Sequence, residues 1–505
     1  MAIRMTGLNS GLDTETIISQ LVSAKKTSVN SLKKAQIKLS WKVDAWKSLN
    51  SKIYSLYTGT IDKMRWDSAY NKKKATLSNS GLLSVVAGEN AANGVQTVSV
   101  ESMAKAAYLT GGKIKTADGS KASDDTKLTD LGVESGKTIS FAANGKNIDI
   151  EITEDTTVNN LTSKLREAGV NANFDEGQQR FFVSAKSTGA DNDFAFTGDD
   201  ETLKALGLIE DPTNKEGAVK IDGANAAMYL NGAKFESATN TFQINGSTYT
   251  LEGVSEKNAD GSLKETTITT SDDYQGIYDT IKNFIKKYNE VINEMDKMYN
   301  AEAAKDYEPL LSEEKEALTD SEIQDWETKI KDSLLRKDSS LSSVITSMTT
   351  VMAQGVKVSG KDMYLSSFGI ATLGYFSSEE NQRHAYHIAG DADDDNTSGK
   401  TDQLMSMITS DPETVKKYFE QLSNNLYNSL TKSMARVEGY KSMFKVYNDK
   451  QMDTELTNYK TKISDAEEKL TAYEDKWYDK FAAMEKSLAK LSSKQSALSG
   501  LLGGN

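Results

Sequence analysis

Few residues in this chain could support chemistry, and each belongs to one short stretch. GVESGKT (residues 132–138) has the glycines and the Lys-Thr pair of a loop that cradles phosphate on backbone N–H groups. Its spacing is short, because Gly132 and Gly136 enclose three residues where that loop needs four. ISFAANG follows as a strand-like run, so no helix N-terminus would face a bound phosphate. A plain turn is expected.

His384 and His387, in RHAYH, are the only histidines. Zinc needs three or four ligands, and the chain has no cysteine and no HExxH helix to complete a set. GDADDDNTSGKTD (390–402) comes nearer to a metal loop. Asp391, Asp393 and Asp395 stand at the first three ligand positions of a calcium loop, and Asp402 stands at the twelfth. Asn396 occupies the usual glycine position, Asp402 is shorter than the expected glutamate, and the preceding HAYHI reads as strand rather than helix. A solvated acidic loop is the expectation, with those four aspartates as a secondary calcium candidate. No catalytic constellation emerges, so neither an enzyme nor a cofactor is expected.

With chemistry this thin, the elements themselves carry the reading. The net charge of -13 disfavours nucleic acid, which needs a basic face. No apolar run approaches the roughly 18 residues of a membrane span, and MAIRMTGLNSG has no apolar stretch of a secretory leader. Cysteine is absent, which excludes disulfides and suits a chain that crosses compartments. Three prolines in 505 residues leave room for long unbroken helices. A mean hydropathy of -0.54 predicts thin cores.

Gly11, Asp13 and Glu15 mark a helix start: a turn residue, an N-cap and first-turn negative charge. Leu32, Leu39, Trp46 and Ile53 then recur every seven residues, joined by Leu49 and Leu56, the pattern of a helix that pairs along one seam. At the other end Leu456, Tyr459, Ile463, Ala466, Leu470, Tyr473 and Trp477 alternate steps of three and four, and a second set runs from Phe481 to Leu502. The step from Trp477 to Phe481 is four where three was due, which should locally unwind a supercoil. A third stripe runs from Ile277 to Met298, and Thr319 with Glu322 forms a capping box before Ile323 and Trp326.

Between these helical ends, residues 75–272 are rich in Thr, Ser, Asn and Gly in short alternating runs. ISFAANGKNIDIEI, MYLNGAKF and TFQINGSTYTL each set Asn-Gly between strand-like flanks, a strong hairpin signal. One short helix, with Val158, Leu161 and Leu165 on a face and Gly169 closing it, is embedded there. The fold class expected is multi-domain α+β: terminal coiled-coil helices and a helical bundle, with two inserted antiparallel β-rich domains. The expected spans are 1–40 with 470–505 for the coiled-coil segment, 41–74 with 273–469 for the helical body, 75–112 with 218–272 for the first β domain, and 113–217 for the second. Because the β region leaves and rejoins the helical body, helices near 41–70 and 274–300 should pack together.

The outermost stripes are narrow and punctuated by Ser23, Ala24, Ser28 and Ser31 at one end and by Ser492, Ser493, Ser496 and Ala497 at the other. They bury too little in one copy to offset the ordering of a long rod, so they should order against partner helices. The candidate partner-binding residues are Leu12, Ile17, Leu21, Leu32, Leu39, Leu488, Leu491, Leu498 and Leu502.

Here the sequence resembles a known family, the flagellar filament-capping or hook-associated protein 2 family. Ser10-Gly11-Leu12-Asp13 followed by IISQLV looks like its N-terminal signature, and Trp46-Lys47-Ser48-Leu49 its next block. NGAKFESATNTF (231–242), TKIKDSLLRKDSSL (328–341), SDPETV and KQSALSGLL are similar to later blocks, as is SSFGIATLGYF (366–376), with Phe368 at a leucine position. Two departures stand out: KKTSVNSL lacks the proline common in the first helix, and the GDADDDN loop is elaborated.

The resemblance implies an assembly factor exported unfolded through the flagellar type III apparatus to the extracellular filament tip. It would form a ring homo-oligomer, commonly a pentamer, and help emerging flagellin fold and insert. Other implied partners are hook–filament junction proteins and an export chaperone. An alternative is a tip adhesin that binds host glycan or mucin through the β domains. Another axial protein, such as flagellin itself, is disfavoured by the SGLD start and LLRKDSSL.

Overall fold

The computed structural model describes residues 10–211 and 215–502. They divide into two compact units, one formed by the chain up to Tyr70 and from Tyr274 onward, the other by Asn71–Asp273. The fold is mixed α and β, with long helices in the first unit and antiparallel sheets in the second.

The first unit begins with α1 (Thr14–Ser55), 42 residues that span about 63 Å at the usual helical rise. Its start is the one the sequence predicts: the Asp13 carboxylate accepts from the Thr16 N–H at 3.0 Å, and Gly11 takes a φ of +68°. At its far end the helix loosens into a π-helical turn, Leu56–Ile61. That turn aims Tyr57 at Tyr427, ring centroids 4.4 Å apart, and at the Thr431 hydroxyl.

Six further helices of eight or more residues follow among the described residues: α2 (Tyr274–Asn300), α3 (Asp320–Asp332), α4 (Ser339–Ala353), α5 (Gln403–Ser410), α6 (Pro412–Ser433) and α7 (Asp449–Leu502). Thr319 and Glu322 close the capping box before α3. The core gathers Trp46, Leu49 and Ile53 of α1 with Ile281 and Phe284 of α2 and Phe419 of α6. The expected packing of 41–70 against 274–300 is therefore present, and Lys52 pairs with Glu294 across it at 2.7 Å. No helix among the described residues is long and apolar enough to cross a membrane.

In the second unit, a five-stranded sheet has the order Lys73–Leu77, Thr266–Asp272, Gly94–Ser102, Ala226–Leu230, Ala233–Ser237. A three-stranded sheet, Thr241–Ile244, Ser247–Leu251 and Leu83–Ala87, closes on it over Val98, Met228, Tyr249 and Ile268. A separate core, with Phe141, Leu161, Leu165 and Phe181, lies between a four-stranded sheet, a three-stranded sheet and the helix Val158–Glu167. Its four-stranded sheet takes in Tyr108–Thr110 and Val219–Ile221, so strand pairing runs past the 113–217 span read from sequence.

The three Asn-Gly pairs singled out from the sequence make hairpin turns with positive φ at both residues: Asn144 and Gly145 (52°, 70°), Asn231 and Gly232 (50°, 80°), Asn245 and Gly246 (47°, 78°). These angles match the right-handed twist of the flanking strands.

Candidate assembly surface: the terminal helix pair

The apolar stripes of α1 and α7 face each other, and the helices run antiparallel. Going outward from the core, Trp46 meets Tyr447, Lys33 meets Glu467, Lys25 lies over Tyr473, and Ser10 meets Glu485. Of the α7 stripe, Ile463 is buried and Leu456, Tyr459, Ala466, Leu470, Tyr473, Trp477, Phe481 and Met484 are partly buried, while most of the helix between them is exposed. The spacing of three and four thus selects the side that meets α1.

On α1, Ile17, Leu21, Leu32 and Leu39 are partly buried, and Leu12 is 47% exposed. The deepest apolar residues of the outer half are Ile18 and Val29, neither of them a candidate read from the sequence. A signal for Ile18 exists: it continues the seven-residue series of Leu32, Leu39, Trp46 and Ile53 backwards through Lys25. Val29 stands two such steps before the buried Val43, but the polar Gln36 between them interrupts the pattern.

A separate edge of α1 is basic and meets acidic chain. Lys26 pairs with Glu313, Lys34 with Glu314 at 2.7 Å and Glu308 at 3.5 Å, and Lys42 with Asp338. The hydrogen bond that Lys34 donates to Glu314 holds its ammonium above the ordinary range. Backbone Leu311 and then Lys34 hold the Glu314 carboxyl below its own. These pairs join α1 to the chain between Glu308 and Asp338, away from α7.

Past Glu485 the stripe of α7 becomes progressively more exposed. Leu488 is partly buried, and Leu491 and Leu498 are 63% and 59% exposed. The side chain of Leu502 lies outside the described residues. The arrangement is a helix pair whose outer end carries Leu491 and Leu498 exposed, seven residues apart.

The other candidates sit elsewhere. Gly132 and Gly136, at φ of +86° and +91°, make turns before the strand Thr138–Ala143. Asp391 and Asp393 do not converge on a common point with Asp395 and Asp402. They bind the Lys282 ammonium at 2.5 and 2.6 Å, Asp395 is exposed, and Asp402 caps α5 by accepting from the Met405 N–H at 2.8 Å. Among the described residues no group of three or more His, Cys, Asp or Glu side chains is placed to hold a metal ion.

The sequence profile described as "Flagellar hook-associated protein 2 N-terminus" matches residues 10–107, and its C-terminal counterpart matches residues 223–493. The chain belongs to the flagellar hook-associated protein 2 family. The two family profiles take in all of α1 and most of α7, and residues 108–222 lie between them.

Among relatives, the flagellar hook-associated protein 2 of Halalkalibacterium halodurans is 23% identical over 85% of this chain and 81% of its own length. The A-type flagellar hook-associated protein 2 of Pseudomonas aeruginosa is 26% identical over 57% and 62%. Among solved structures, the flagellar cap protein FliD D1-D2-D3 domains from Escherichia coli align at 18% identity and a TM-score of 0.46, covering 82% of this chain and 95% of that one.

Proposed function

We propose that this chain caps the tip of the bacterial flagellar filament as a ring of its own copies, holding exported flagellin while it folds and inserts. The observation that carries this reading is the terminal helix pair, whose Leu491 and Leu498 stand exposed at its outer end. Helices of that kind gain order and burial by docking among the terminal helices of neighbouring subunits. Membership of the flagellar hook-associated protein 2 family supports the same reading.

The partners in this account are other copies of the chain, flagellin, the hook–filament junction proteins beneath the first cap, and an export chaperone before secretion. The location is extracellular, at the filament tip, after export through the flagellar type III apparatus. Five copies is the stoichiometry the family resemblance suggests.

Deleting residues 1–40 tests the proposal. The β sheets of 71–273 belong to a different compact unit and should remain folded, while capping is lost and flagellin escapes as monomer. Filaments of normal length built with this truncation would overturn it.

A further inference from the structure

One face of α2 carries Lys282, Asn289 and Asp296, each seven residues from the next, and these three hold a single strap of chain. His384 Nδ1 lies 2.7 Å from the Asp296 carboxylate, which is only 4% exposed. The Asn289 carboxamide grips Tyr386 on both sides, accepting from its N–H at 2.9 Å and donating to its carbonyl at 2.7 Å. Lys282 takes Asp391 and Asp393. Within the strap, His387 Nδ1 lies 2.6 Å from Asp394, and the Thr397 hydroxyl donates to the Ile388 carbonyl.

Both histidines of the chain therefore stand in this strap, each on an aspartate. At its base the Arg383 guanidinium lies 3.9 Å over the Tyr375 ring, beside Phe376, which is 97% exposed.

We propose that residues 383–397 form a proton-operated latch, closed by the His384 imidazolium on Asp296 and released as the medium turns alkaline. Release parts the Arg383 guanidinium from the Tyr375 ring. This inference does not depend on the filament reading.

The physical basis is the burial of Asp296. A carboxylate with so little water contact needs a partner, and a cation serves it better than a neutral donor. The charged groups acting on His384 are Asp296 from α2 and Arg383 beside it on the strap. The phenols of Tyr288 on α2 and Tyr386 on the strap flank this pair, both held above their ordinary range by burial, so they stay neutral. Behind them the Tyr418 phenol of α6 is likewise pushed up.

The hydrogen bond to Asp296 raises the His384 imidazole above its ordinary 6.5, against opposing effects of burial and Arg383. A raised value means the contribution is complete below pH 6.5 and is lost as pH climbs through the raised value. At the acid end, Lys282 holds Asp393 below its ordinary 3.8, so that rung persists until pH falls under that range. The latch is closed between these limits.

The test uses the full chain. Two histidine resonances are followed by NMR from pH 5 to 10 and assigned with H387Q. Amide exchange of 383–397 is measured over the same range and corrected for its intrinsic pH dependence. His384 is expected to titrate above 6.5, and strap protection to fall, as it does so, about tenfold for each pH unit by which its midpoint exceeds 6.5. H384Q and D296N should have low protection with no pH response, and H387Q should keep the response.

Strap protection independent of pH in the unmodified chain, or a D296N variant that responds like it, overturns the latch. If neither variant folds, the unmodified chain decides alone: His384 titrating at or below 6.5 contradicts the proposal.

Discussion

Trp46 lies flat against Tyr447, ring centroids 5.2 Å apart and planes 8° from parallel. Trp46 belongs to α1, and Tyr447 sits two residues before α7 begins, so this stack fastens both terminal helices to the core at one point. Replacing Trp46 by Ala removes a buried ring and leaves a cavity, which costs about 3–5 kcal/mol. Chemical denaturation should show the transition of the helical unit moving to lower denaturant while that of 71–273 stays in place. An unchanged helical transition would mean the stack adds nothing to the attachment.

Four residues along, Asn50 ties the same junction through hydrogen bonds. Its carboxamide oxygen accepts from the Val446 N–H at 2.9 Å, and its Nδ2 donates to the Phe444 carbonyl at 3.2 Å. Phe444 holds a φ of +64°, an unfavourable conformation for a bulky residue, so something must hold it there. N50L keeps the volume but strands both backbone groups, at about 1–3 kcal/mol. Faster exchange of the Val446 amide, more than of amides in α2, is the expected signature.

Glu327 should set part of the acid limit of the helical unit. Burial pushes its carboxyl up, yet Lys315 at 2.6 Å and Lys331 at 2.9 Å outweigh burial and hold it below its ordinary 4.5. A lowered value contributes stability that is present above pH 4.5 and lost as pH falls through the lowered value. E327Q should therefore be less stable than the parent at pH 7 and lose less between pH 5 and pH 2. Parallel stability curves for the two proteins would count against this pairing.

Two glycines separate backbone strain from crowding. Gly145, at φ +70°, has open space where a Cβ would lie, whereas at Gly207, at φ +62°, that atom would stand 2.5 Å from the Gly112 carbonyl oxygen. G145A should cost about 1–2 kcal/mol, the penalty of the left-handed conformation. G207A adds a backbone clash and should destabilise the module around Leu161 and Phe181 by more. Equal thermal shifts would show that the Gly112–Gly207 approach relaxes freely.

What could be read from sequence was local or periodic. Asp13 as N-cap, the box at Thr319 and Glu322, and the three Asn-Gly turns depend on residues within a few positions of each other. The stripes of α1 and α7 depend on spacing alone, which is why their inward sides were legible. Ile18 and Val29 were not, because Lys25 and Gln36 break their series with polar side chains. The Lys282–Asn289–Asp296 ladder was hidden because its rungs are polar and their partners lie about a hundred residues away. The aspartates at 391–402 suggested a cation, and one is present in the form of Lys282, which no local pattern could supply.

The claim on which the account turns is that the leucine edge at the outer end of α7 docks in assembly. The most direct measurement is filament growth with the chain carrying L488S, L491S and L498S together, positions whose side chains are exposed or partly so. The account predicts a chain with unchanged thermal unfolding of 71–273, no cap at the filament tip and flagellin released as monomer. Filaments of normal length bearing this triple variant at their tips would contradict it.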